Sequence, residues 1–266
     1  MSTPRLLSRL GAISPMRRRI AAGALVGSLA LAIPSVAGAA APQPDLRTTV
    51  SSIKATASSL GNSAVSSIAP RCESAITNRQ TQIDVLDNRM AVAKWLSASH
   101  RSTLSGDLSS ASSGLTTLNG QIQAATTLQQ LGPLCRDIVD NFRIYVLRTP
   151  QVHLTIGGDA ETSVVAKLQA IGPKLDAAIK AAQAKGEDVA NAPSLYSDFN
   201  AKVADAASNS DGAADKVVGL TVADYNGGSA KPVLQTTYQN LVRGHGDLIA
   251  ARQDAQQIVQ ILQSLH

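Results

Sequence analysis

Several groups of residues carry side-chain types from which chemistry could be built, and each can be weighed by its spacing. His153 is followed by Asp159 and Glu161. A helical metal site wants ligands at i and i+3 or i+4, and neither acid falls there. Asp84 with Asp87, and Asp137 with Asp140, are i,i+3 pairs on single helical turns. Paired carboxylates do general acid–base work when a pocket drives their pKa values apart. Here Arg89, Arg136 and Arg143 stand beside them, which reads as solvated helix surface. His245 falls within the apolar periodicity of the last segment, between Gly244 and Gly246, and Arg252 follows one heptad later. Polar residues at seam positions fix register or partner choice, and a histidine there also titrates near neutrality. Gly157-Gly158-Asp159 and Asn226-Gly227-Gly228 lack the spacing of a phosphate loop. Neither G-x-S-x-G nor H-E-x-x-H occurs. The reading assigns no catalytic, cofactor-binding or metal residue and expects no enzyme.

Cys72 and Cys135 are the only cysteines. Their wide separation excludes C-x-x-C redox chemistry, and in an exported chain an even count favours a disulfide. A bridge closing so long a loop is worth about 4 kcal/mol in the chain-entropy model. Its expected work is structural, holding two helix starts together.

Export is written at the N-terminus. Arg5, Arg9, Arg17, Arg18 and Arg19 precede an apolar run from Ile20 to Ile33, and Val36-Ala37-Gly38-Ala39-Ala40 follows. Basic segment, short apolar segment and A-x-A site make a cleavable secretory signal over residues 1–39, cut between Ala39 and Ala40. The apolar run is short for the roughly 20 residues of a membrane span. Arg17-Arg18-Arg19 leaves the general and twin-arginine routes both open. Five of the 24 basic residues and none of the 19 acids lie in this leader, which leaves 19 of each in the mature chain. A nucleic-acid or anionic-membrane footprint needs clustered excess charge. The reading therefore expects no nucleic-acid partner and no stable span after cleavage.

The elements that must position these residues are helices. After a linker over residues 40–45, apolar residues recur at 3-4 spacing: Leu46, Val50, Ile53, Ala57, Leu60, Ala64, Ile68, with Pro70 expected to stop that helix. Ile76, Ile83, Leu86 and Met90 form a second set, broadened by Val85, Val92 and Trp95. Leu104, Leu108, Ala111, Leu115, Leu118, Ile122 and Ala125 form a third. Such spacing puts the apolar side chains on one seam. Thr127 and Gln130 have capping-box spacing. The stretch 143–156 reads as a helix kinked at Pro150, because its surroundings are helical, or as a β-hairpin. Further helical periods lead through an expected kink at Gly172-Pro173 to Gly186, a C-cap candidate and possible sub-boundary. Others begin near Pro193 and Pro232. The fold class is all-α: an elongated bundle of five or six amphipathic helices with coiled-coil-like seams over residues 46–266.

Arg143-Ile144-Tyr145-Val146-Leu147 with Pro150 and His153-Leu154, then Ala223-Asp224-Tyr225-Asn226, then Arg252-Gln253-Asp254-Ala255, resemble segments of a group of exported bacterial α-helical proteins without assigned activity. The resemblance spans most of residues 71–265 and implies an all-helical exported protein, secreted or wall-associated. The expected function is a structural or protein-interaction module of the envelope or medium, binding an envelope protein or itself. The alternative is a carrier of an apolar small molecule or lipid, with Phe142–Ile156 lining a groove between helices.

Overall fold

The computed structural model describes residues 46–265, with side chains from Ser63 onward. The leader 1–39, the linker 40–45 and the cut between Ala39 and Ala40 lie outside the described residues. Every regular element among the described residues is helical: α1 (Leu46–Val92), α2 (Ala98–Ala124), α3 (Leu128–Asp140), a π-helical turn (Ile144–Arg148), α4 (Thr149–Ala184), α5 (Ala192–Ser210), α6 (Ala213–Val218), α7 (Val222–Asn226) and α8 (Ala230–Gln263). None of these helices is long and apolar enough to cross a membrane.

Pro70 does not end the first helix, contrary to the expectation; α1 runs 47 residues through it. Proline removes one donor from the ladder and crowds the preceding turn. Packing on both sides outweighs that: Val65 and Ala69 before it, and Cys72 and Ile76 after it, all lie against one core. The Pro70 ring itself is exposed. Val85, Val92 and Trp95, expected to broaden the α1 stripe, are exposed too. The buried line is Ile76, Ile83, Leu86 and Met90. At the following turn the Arg101 guanidinium donates to the carbonyls of Met90 and Ala93, which also accept the N–H groups of Ala93 and Leu96 at the helix end.

In α2 the six residues Leu104, Leu108, Ala111, Leu115, Leu118 and Ile122 are all buried, as the 3-4 spacing requires. Thr127 and Gln130 close the capping box at the start of α3. The Cys72–Cys135 disulfide joins α3 to α1, with the Cα atoms 5.6 Å apart. Cys72 lies well inside α1, so the bridge ties the body of one helix to another and does not join two helix starts.

Residues 144–156 are helical, and the break comes earlier than Pro150. Arg143 takes a left-handed conformation (φ 47°), and the chain then enters the π turn. The Arg148 N–H bonds the Arg143 carbonyl and the Thr149 N–H bonds the Ile144 carbonyl, five residues back in each case. Pro150 cannot donate, so the wider turn just before it accommodates the ring where an α ladder would need an N–H. α4 then runs as one continuous helix through Gly172-Pro173. Gly186 (φ 76°) closes α4 in a Schellman arrangement: Glu187 N–H reaches the Ala182 carbonyl and Gly186 N–H the Gln183 carbonyl.

Three apolar clusters fill the bundle. One lies among α1, α2 and α3, one among α4, α5 and α8, and a smaller one joins Leu147 and Leu154 to α6 and α8. The Gly186 turn falls inside the second cluster, between Ala182 and Val189. It connects two helices of one core. α4 contributes to all three clusters through Val152, Leu154 and Val165.

Candidate functional site

α4 and α8 lie side by side and run in the same direction. Pro150 and His153 meet Leu234 and Tyr238 near the start of the pair, and Leu168 and Ile171 meet Arg252 and Val259 near its end. Small residues let the helices close between these points. A β-carbon on Gly244 would sit 2.8 Å from Glu161 Oε2, and one on Gly157 would sit 3.5 Å from Leu241 Cδ1.

The buried line of α8 is Leu234, Thr237, Leu241, Gly244, Leu248, Ala251 and Ile258. One residue further round the helix runs a second line at the same 3-4 spacing: Tyr238, Val242, His245, Ile249, Arg252, Gln256 and Val259. All seven side chains are exposed. The fractions are large for such apolar residues: Tyr238 60%, Val242 54%, Ile249 47% and Val259 40%. His245 and Arg252, expected in the packed stripe, belong to this exposed one; an offset of one residue turns a helical side chain by about 100°. Beside the stripe, the furrow between α4 and α8 widens into two hollows. The first, about 450 Å³, is lined by Val146, Pro150, His153, Leu154, Leu234 and Tyr238 among others. The second, about 530 Å³, lies between Leu168, Ile171 and Leu175 of α4 and Arg252, Gln256 and Val259 of α8.

The mouth of the first hollow is braced by polar contacts. Arg143 Nε donates to Asn226 Oδ1 at 2.7 Å, its guanidinium lies 5.5 Å from the Tyr225 ring centre, and it pairs with Asp140 at 3.0 Å. These contacts offset the left-handed backbone of a non-glycine residue, a strain of about 1–3 kcal/mol. Segments 143–147 and 223–226 thus meet at one place. Behind them, Gln151 is fully buried. Its Nε2 amide donates to the carbonyls of Val217, Val218 and Leu220 at the end of α6, while Oε1 accepts from Arg148 Nη1. Arg148 also pairs with Asp107 of α2.

His153 faces Arg89 (Nη1 to Nε2 3.3 Å), and burial followed by that cation holds its pKa below the usual histidine value. Neither Asp159 nor Glu161 joins it. Asp140 is engaged by Arg143. Asp87 is pushed above the usual carboxylate range by burial first and by Asp84 second, and both side chains face outward.

The sequence reading missed two polar groups. His100, in the first turn of α2, is clamped between two carboxylates. Nδ1 lies 3.0 Å from both Asp159 oxygens, and Nε2 lies 3.0 Å from Asp215 Oδ1. Asp159 also accepts the Ser97 N–H at 2.7 Å. Burial alone would lower the His100 pKa; the hydrogen bonds and charges of the two aspartates outweigh it and raise it. With both ring nitrogens engaged, this imidazole latches α2 to α4 and α6 and offers no free nitrogen to a substrate. The second group is Glu161, buried at the crossing of α4, α5 and α8, whose Oε2 finds no hydrogen-bond partner. Burial raises its pKa to about 7. No local signal announces either group: the partners of His100 stand 59 and 115 residues away. Among the described residues no group of three or more His, Cys, Asp or Glu is placed to hold a metal ion.

No protein-family model matches the chain, and no curated protein or solved structure matches it.

Proposed function

We propose that the protein is a non-enzymatic, exported structural or protein-interaction module of the bacterial envelope or medium, and that its binding surface is the α4–α8 face. The observation that carries this reading is the exposed stripe from Tyr238 to Val259. A helix of an isolated globular protein turns such a line of tyrosine, valine and isoleucine inward; left outward at 3-4 spacing, it fits the groove-and-ridge mode by which helices dock on one another. The elongated bundle with coiled-coil-like seams belongs to the same proposal, and the strict spacing buried in α2 supports it. Export rests on the leader read in residues 1–39. The Cys72–Cys135 bridge accords with an oxidising compartment, and the likeness to exported helical proteins points the same way.

The test is a photo-cross-linking residue placed at Val242 in the protein exported by its own host. Covalent protein adducts at Val242, absent from a probe at the polar position Gln239, are the expected result. Equal labelling at both positions, or none, overturns the reading. The denatured mass of the same material tests cleavage after Ala39.

A second reading, carriage of an apolar small molecule or lipid, is favoured by the first hollow. Its walls are largely apolar, its volume lies within the range of about 300–1,000 Å³ typical of ligand pockets, and four residues of the 142–156 segment line it. Native mass spectrometry of the exported protein should then show an adduct lost on denaturation; an unadorned mass removes this option.

A further inference from the structure

We infer that the first hollow, between the starts of α4 and α8, binds a single-chain carboxylate, with the acid group against Lys231 and the tail along Val146, Pro150, Leu154 and Leu234. The inference rests on the second reading above, that this hollow carries an apolar molecule, and names the chemical class of that molecule. Apolar and aromatic side chains make most of the wall; its other members are His153, Lys231 and Gln235. An amphiphile fits such a lining: apolar walls bury a tail, and a few placed polar groups fix a head.

The polar members decide the sign of the head. No carboxylate lines the hollow. Lys231 Nζ stands 5.2 Å from the centre of the Tyr225 ring. That contact with a π face leaves the ammonium without a counter-ion. Among the described residues no carboxylate lies within ion-pair distance of Lys231 or of Arg89. Two acids of the neighbouring segments are already engaged. Asp140 pairs with Arg143 at 3.0 Å, and Asp224 accepts the Thr221 N–H at 2.8 Å and its hydroxyl at 2.6 Å.

The other end of the hollow has the same sign. His153 Nε2 accepts from Arg89 Nη1 at 3.3 Å. The ring proton then sits on Nδ1, a donor with no partner among the described residues. An alkylammonium entering the hollow meets cations at both ends, and an alcohol gains little beyond the walls. A carboxylate gains a charge-assisted hydrogen bond from Lys231. The Gln235 amide, one turn further along the same face of α8, supplies a second donor. Val146 to Leu154 covers about 12 Å of chain at 1.5 Å per residue, so the space of about 450 Å³ suits one alkyl tail of medium length.

Isothermal titration of the exported, disulfide-bonded protein with decanoate, decanol and decyltrimethylammonium tests the inference. Decanoate should bind with a dissociation constant of about 100 µM, at least tenfold tighter than either of the others. Lys231 is exposed, so Lys231→Gln should fold normally. It should weaken decanoate binding at least tenfold and leave decanol unaffected. Arg252→Gln, at the second hollow, should change neither. Decanol or decyltrimethylammonium binding as tightly as decanoate overturns the inference and leaves carriage of an apolar molecule standing. So does decanoate binding that ignores Lys231→Gln or is lost with Arg252→Gln. If none of the three probes binds, the inference and the carrier reading both fail.

Discussion

Glu161→Gln should stabilise the protein at pH 8 and leave it nearly unchanged at pH 4. Glu161 is only 8% exposed, its Oε2 has no hydrogen-bond partner, and burial raises its pKa from 4.5 to about 7. In the unfolded chain the same carboxyl ionises near 4.5. Between these two values the unfolded state releases a proton that the folded state keeps. A raised folded pKa therefore gives stability that is complete below pH 4.5 and is lost as pH climbs through 7. At 1.36 kcal/mol per pH unit the loss is about 3 kcal/mol. Glutamine keeps the shape and stays neutral, so its stability curve lacks that fall. For a domain of this size each kcal/mol moves Tm by about 2–4 °C, which predicts a gain of about 6–12 °C at pH 8. Thermal unfolding followed by circular dichroism at pH 4, 6 and 8, at constant ionic strength, measures it. A variant whose Tm falls with pH as steeply as the parent's would refute the account of Glu161 as a buried, unpartnered acid.

The other predictions concern the latch, the close crossings and the buried amide. His100→Gln should lower stability by about 1–3 kcal/mol at pH 5 and by progressively less as pH rises past the raised folded pKa, because the charged imidazole holds both aspartates only below it. Most of that effect should trace to Asp159, since Asp215 is 77% exposed and screened by solvent; Asp159→Asn against Asp215→Asn in the same melts separates the two. Gly158→Ala should cost about 1–3 kcal/mol, because its β-carbon would lie 2.9 Å from the Ala214 backbone nitrogen. Gly106→Ala, in the body of α2 with nothing within 4 Å, should gain about 0.5–1 kcal/mol; urea denaturation of the two variants gives opposite signs if the helix crossings are as described. Gln151→Leu should cost about 1–3 kcal/mol in the same assay by orphaning the carbonyls that end α6.

What the sequence made legible follows from which side chains form each stripe. In α2 every buried member is leucine, isoleucine or alanine, so periodicity alone located the helix and its face. In the first half of α4 the buried line includes Gln151, Thr155, Gly158 and Glu161, which no hydropathy pattern marks as interior. That is why 143–156 stayed open between helix and hairpin, and why the role of Gln151 was invisible. The caps at Thr127 and Gly186 were readable because capping chemistry is local. Pro70 misled because proline's local penalty says nothing of the packing on either side. On α8 two apolar lines sit one residue apart, and spacing alone cannot say which faces inward; the closely approached Gly244 decides it. The His100 latch depends on loops and helices far apart in sequence, and no spacing rule reaches that far.

α4 supplies Val152, Leu154 and Val165 to three different clusters. This has a consequence for how the molecule opens. The α1–α3 group can loosen from one side of α4 and the α5–α8 group from the other, but α4 loses all its supports only when both have gone. Its central amides should therefore exchange with solvent deuterium at the rate of complete unfolding, while the flanking groups exchange through partial openings. A helix shared in this way makes the two groups thermodynamic neighbours: a ligand that clamps α8 onto α4 raises the cost of opening on the far, disulfide-bridged side without touching it.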